Sequence, residues 1–221
     1  MFRRNKGFNR SKLLGEAARA HEQGRLRKAA GLYSKVLEVE RGNMDVHRKA
    51  GPLFARVGRL DLAAQSFELV AREFSHSGRH QHAIGIYREA LHYLPRRADF
   101  WLAMAEAHRA RECTGDAVRA LLEGRDSFRR RRDRGDAIRL LSAARTLDPM
   151  LIEPSFELAV LLHRTGQRQE AQHLLDELGR TLPGQHFRRV RWLQLNFHPT
   201  PAALWRLICV MLGGRASAAS A

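Results

Sequence analysis

Two stretches of the chain, HQHAIGIYREALHYLP at residues 80–95 and RGDAIRLLSAARTLDP at 134–149, place apolar residues three and four positions apart with polar ones between. That period predicts amphipathic helices, each closed by a proline that cannot continue the turn. The spacing extends along the chain. Alanines preceded by a turn residue recur at Ala29, Ala63, Ala83, Ala117, Ala137 and Ala171, in alternating steps of 34 and 20. Four residues after each stands a bulky side chain, namely Tyr33, Phe67, Tyr87, Leu121, Leu141 and Leu175. Three further on come Val36, Val70, Ala90, Gly124, Ala144 and Leu178. Twelve residues before the 34-step alanines stand Ala17, Gly51, Ala105 and Ala159.

Small residues at fixed places let two helix axes approach, and bulky ones fill the space between them. Gly24, Gly58, Gly78 and Gly166 fall where one helix must stop before the next begins, and Asn43, Pro95 and Pro149 where the second helix of a pair closes. The pattern resembles the tetratricopeptide repeat, bacterial in character. Four motifs of about 34 residues cover roughly 10–43, 44–77, 98–131 and 152–181. The 20-residue steps make helix 61–74 serve two overlapping pairs, a variant unit of three helices and 54 residues. The two opening stretches are then the third helices of successive units.

The expected fold is all-α: a right-handed tetratricopeptide-like solenoid of about eleven helices with a short apolar C-terminal helix. A basic tail (1–9), a repeat domain (10–196) and a C-terminal helix with a small-residue tail (197–221) are the expected divisions. With 44% hydrophobic residues, the 221-residue chain can bury a sizeable core without staples, and its two cysteines write no disulfide framework. No apolar run spans a membrane and no secretory signal is present, so a cytoplasmic protein, membrane-associated at most, is expected.

Net charge is +16, and 34 of the 39 basic residues are Arg, a usage that goes with a GC-rich genome. The excess is concentrated at the ends. Residues 1–15 hold five bases and 178–221 hold six, with no acid in either stretch. Arg3, Arg4 and Lys6, the loop residues Arg129, Arg130 and Arg131, and Arg188 and Arg189 are the candidates for contact with an anionic surface. The helix PAALWRLICVMLGG is apolar nearly all round, more than a solenoid cap needs.

No phosphate loop, dinucleotide turn or paired-carboxylate signature occurs, which argues against an enzyme and against a cofactor. His76, His80 and His82 lack a converging carboxylate, so no metal site is expected. The resemblance implies a ligand-facing row on first helices, at their second, fifth, ninth, twelfth and thirteenth positions. It transfers to Arg48, Pro52 and Arg56 in the second motif, to Leu102, Glu106 and Arg109 in the third, and to Phe156, Val160, His163 and Arg164 in the fourth. The Lys and Asn with which chaperone-binding members grip a carboxylate are absent. The implied function is therefore a non-catalytic adaptor for a protein segment with acidic and apolar residues. Peripheral attachment to anionic membrane, or less readily to nucleic acid, through the basic ends is the alternative.

Overall fold

The computed structural model describes residues 9–182 and 184–211. Arg3, Arg4, Lys6 and the small-residue tail after Met211 lie outside them. Among the described residues are twelve α-helices and two short 3-10 turns, and no strand. The helices are α1 (Arg10–Glu22), α2 (Leu26–Val39), α3 (Met44–Arg56), α4 (Leu60–His76), α5 (His80–Tyr93), α6 (Ala98–Arg109), α7 (Thr114–Arg125), α8 (Arg134–Leu147), α9 (Ile152–Arg164), α10 (Arg168–Thr181), α11 (Phe187–Phe197) and α12 (Pro201–Met211).

The chain divides between Ser127 and Phe128 into two compact units. In the first, each helix from α1 to α7 packs on the next; in the second, each from α8 to α12 does so. Helix α4 packs on both α3 and α5. Helix α8, expected as the third helix of a unit begun by α6, belongs to the second compact unit.

The reason for this architecture lies in the alanine ladder. All six anchor alanines are buried, as are the six bulky residues four places on and the six residues seven places on. Ala17, Gly51, Ala105 and Ala159 are buried too. One stripe on each helix of the ladder is therefore apolar and inward, and the polar remainder faces water.

Helix ends follow local chemistry. Asn43, expected to close α2, instead caps α3: its Oδ1 accepts from the Val46 amide at 3.2 Å. Pro95 and Pro149 stand two residues beyond the last residues of α5 and α8. Between paired helices the chain passes through the left-handed region at Gly24, Gly58, Gly78 and Gly166, with φ from 72° to 90°. The residue after each returns a hydrogen bond into the preceding helix, as Arg59 N does to Phe54 O at 2.8 Å. The α6–α7 turn makes the same bond, Cys113 N to His108 O at 3.0 Å, but its left-handed residue is Glu112 at φ 60°. A side chain there costs about 1–2 kcal/mol that glycine avoids. Glu112→Gly is expected to raise stability by about 1 kcal/mol, read from the urea midpoint; a fall would mean Glu112 is held by more than the backbone.

Candidate functional site

Three clefts recur in the molecule, each formed by two flanking helices with a third as floor. The first lies between α2 and α4 over α3, the second between α5 and α7 over α6, and the third between α8 and α10 over α9. Their volumes are about 390, 640 and 660 Å³. Their linings correspond residue by residue at a spacing of 54. Ser34, Arg88 and Ser142 are equivalent, as are Leu37, Leu91 and Arg145, then Phe54, His108 and Leu162. So are Leu62, Asp116 and Glu170, then Leu69, Glu123 and Glu177. A hydrogen bond recurs as well. His47 Nε2 donates to Arg41 O at 2.8 Å, and Trp101 Nε1, 54 residues on, donates to Pro95 O at 2.9 Å. With that nitrogen protonated, His47 Nδ1 accepts from the Ser66 hydroxyl at 3.0 Å.

The side chains give each cleft a different character. The first is walled by Leu37, Leu62 and Leu69 and is the most apolar. The third is bridged by an ion pair, Arg145 Nη2 to Glu177 Oε1 at 2.5 Å, which ties α8 to α10. In the second, position 91 is Leu and no such bridge can form. Its floor is Ile84, Leu91, Met104 and the Trp101 ring, and its rim carries Arg88, Arg111 and Arg119 against Asp116 and Glu123. Arg119 is already paired with Asp116, while Arg88 and Arg111 hold no ion pair among the described residues.

His108 lies at the centre of this second cleft, 8% exposed. Its buried Nδ1 has no hydrogen-bond partner, and Asp116 Oδ2, at 3.9 Å, is too far to be one. Burial pushes its pKa below the ordinary imidazole value; Asp116 opposes the shift, and Arg111, Arg88 and Arg119 add to it. The ring is therefore neutral near pH 7. The cleft offers two guanidiniums without an ion pair among the described residues, an excess of one positive charge in its lining, and an apolar floor.

The row carried over from first helices is not gathered in this cleft. Arg48 and Arg56 are exposed on α3, and Arg56 lines a separate basic concavity of about 560 Å³ with Arg25, Arg27 and Lys28. Pro52 interrupts the α3 hydrogen-bond ladder between them. Leu102 is half-buried on α6, and Arg109, exposed, is paired with Glu106 at 2.8 Å. In the second unit Val160 is half-buried and Arg164 exposed, while His163 is stacked on Phe197 with ring centroids 4.0 Å apart. Phe156 corrects the expectation outright. It is 1% exposed, with the Arg189 guanidinium 4.3 Å from its ring centroid, so it belongs to the core. Both Arg188 and Arg189 are exposed, but Arg189 is committed in turn, donating to Glu153 at 2.5 Å. Arg129 and Arg130 are exposed, and Arg131 opens the 3-10 turn that leads into α8.

The sequence reading missed Arg88 and Arg119 because it drew ligand-facing positions from first helices alone, and His108 and Arg111 because they fall between or beyond the positions carried over on α6. The signal was present in the stripe Ile84–Arg88–Leu91, a charge between two buried apolar residues, and in Asp116–Arg119–Ala120–Glu123, where three charges border one buried alanine.

The small residue of one helix meets the bulky residue of its partner directly: a Cβ on Gly51 would stand 3.3 Å from the Phe67 ring. The fold is of the tetratricopeptide type. No family model matches the chain, and no curated protein does. Among solved structures it is similar to MamA, with 14% identity over 91% of this chain and 90% of that one, at a TM-score of 0.32. It is also similar to BtubC from P. vanneervenii, with 14% identity over 92% of this chain and 85% of that one, at a TM-score of 0.40. A third is a tetratricopeptide repeat protein from Parabacteroides merdae, with 12% identity over 91% of this chain and 98% of that one, at a TM-score of 0.28. The internal pairing of tetratricopeptide helices, rather than any of these neighbours, defines the fold.

Proposed function

We propose that this chain is a non-catalytic protein-interaction scaffold, and that its α5–α7 cleft takes a partner segment presenting an acidic side chain beside an apolar one. The observation that carries this reading is the pair Arg88 and Arg111, without an ion pair among the described residues, over the apolar floor of Ile84, Leu91 and Met104. A carboxylate entering there is charge-paired, and an accompanying Leu or Phe covers the floor. The 54-residue equivalence of the clefts supports reading α2–α4, α5–α7 and α8–α10 as three copies of one unit, each retuned by its lining. Arg48, Arg56, Arg109 and Arg164 would add a general attraction for an acidic partner rather than a pocket. Two free, half-buried cysteines suit a cytoplasmic setting.

Peptide display against the purified chain tests this. Selected peptides should be enriched in an acidic residue next to Leu or Phe, and Arg88→Glu/Arg111→Glu should weaken them by about thirty-fold, the scale of a hot-spot pair. Full binding in that variant with loss in Arg109→Glu/Arg164→Glu would move the site to the first-helix face and end the cleft assignment.

A further inference from the structure

We propose that the α10–α12 end of the chain is a docking surface for anionic phospholipid, in which Arg180, Arg191 and Arg206 take headgroup phosphate while the exposed apolar side of α12 enters the membrane interface. This surface shares no residue with the α5–α7 cleft.

The three arginines line one cavity of about 310 Å³ together with Asp176, Gly179 and Gln194. Asp176 is the sole carboxylate in that lining, one negative charge against three guanidiniums. It accepts from Gln194 Nε2 at 2.6 Å and from Gln172 Nε2 at 3.1 Å. Arg191 Nη1 is oriented by Gln194 Oε1 at 2.8 Å. Arg180 and Arg206 hold no ion pair among the described residues. Burial, and then the Arg206 charge, lower the Arg191 pKa, with Asp176 opposing. Guanidiniums held near one another in this way are relieved by an anion that bridges them. No acid occurs anywhere from residue 178 to 221 to supply one from within.

Beside this cavity α12 presents its side chains to water. It packs on α11 yet buries none of its residues. Trp205 is 67% exposed, and Leu204, Ile208 and Met211 are exposed with it. On α11, Trp192 is 56% exposed. Eleven residues of helix reach about 16 Å, far short of a bilayer, and among the described residues no helix is long and apolar enough to cross one. A short helix with one charge, Arg206, and tryptophan at the water boundary suits insertion in the plane of the interface.

Charge decides among the occupants. A two-fold pair of α12 helices would bring identical arginine clusters together, a repulsive contact. Nucleic acid would satisfy the guanidiniums and stack on Trp205, but would leave Leu204, Ile208 and Met211 in water. An anionic lipid surface satisfies both parts at once: phosphate for the arginines and hydrocarbon for the helix.

The test uses the full chain with vesicles of phosphatidylcholine alone and of phosphatidylcholine mixed with phosphatidylglycerol, at low salt. The wild type should sediment with the mixed vesicles only, with its tryptophan emission shifting to the blue. Arg206→Glu should weaken binding by about thirty-fold and Arg206→Gln by about five-fold, following the charge change near the surface. Trp205→Ser should remove most of the emission shift, Trp192 retaining the remainder. Both positions are exposed, so unchanged melting shows that the variants remain folded. Equal binding to neutral vesicles, or full binding by Arg206→Glu, would overturn the arginine site. Oligonucleotide binding lost in the same variants without vesicle binding would assign the surface to nucleic acid instead. A concentration-dependent dimer lost in Trp205→Ser would assign it to a second copy, and either result defeats the lipid proposal.

Discussion

Phe156→Ala is expected to destabilise the protein by about 3–5 kcal/mol, the usual cost of emptying a buried aromatic site. The fifth position of a first helix would, by family resemblance, put this ring on a ligand-facing surface, where truncation changes stability by about 0.5 kcal/mol at most. The structure makes the ring core, 1% exposed, beneath the Arg189 guanidinium and beside His186, whose ring centroid is 6.4 Å away. Urea unfolding followed by circular dichroism separates the two cases. Because the chain has two compact units, the loss should fall on one transition if unfolding resolves into two. A wild-type midpoint in the alanine variant would return Phe156 to the surface.

Gly124→Ala should cost about 1–3 kcal/mol although it removes a glycine from within a helix. Helix propensity alone favours the alanine by about 1 kcal/mol, so the sign is informative. A Cβ at position 124 would stand 2.5 Å from Trp101 Cγ and 3.0 Å from Trp101 Cβ. These atoms lie at the root of the side chain, not at a flexible tip. Moving them means shifting the α6 backbone or rotating the indole, and rotation breaks its hydrogen bond to Pro95 O. Gly51→Ala is the control. Its Cβ would meet the edge of the Phe67 ring at 3.3 Å, a contact a few tenths of an ångström can relieve, so its effect should stay within about 1 kcal/mol. Gly124→Ala should also loosen the α5–α7 cleft, since Trp101 forms part of its floor. A stabilised Gly124→Ala variant would show that Trp101 does not occupy this space.

Much of this protein was legible along the chain, and the ladder is the reason. A helix repeats every 3.6 residues, so Ala83, Tyr87 and Ala90 must share a face whatever the rest of the molecule does. The turns were legible on the same local grounds at Gly24, Gly58, Gly78 and Gly166. Glu112 occupies the equivalent place without the glycine, and only the backbone reveals it. Asn43 was misread because an N-cap and a C-terminal stop draw on the same residue type, and the side-chain bond to Val46 chooses between them.

The sequence by itself determined the helices and the buried stripe on each, because these depend on contacts within one or two turns. The 54-residue spacing was legible in the ladder as well; what it means for the lining of the three clefts was not. Tertiary structure decided which of these residues meet a cleft and which meet another part of the chain. Phe156 is covered by residues 30 and 33 positions away, and Glu177 reaches Arg145 across 32. Leu91, in the place equivalent to Arg145, leaves the second cleft unbridged. A helix period states which side a residue faces; what stands opposite is fixed only when distant helices close on it.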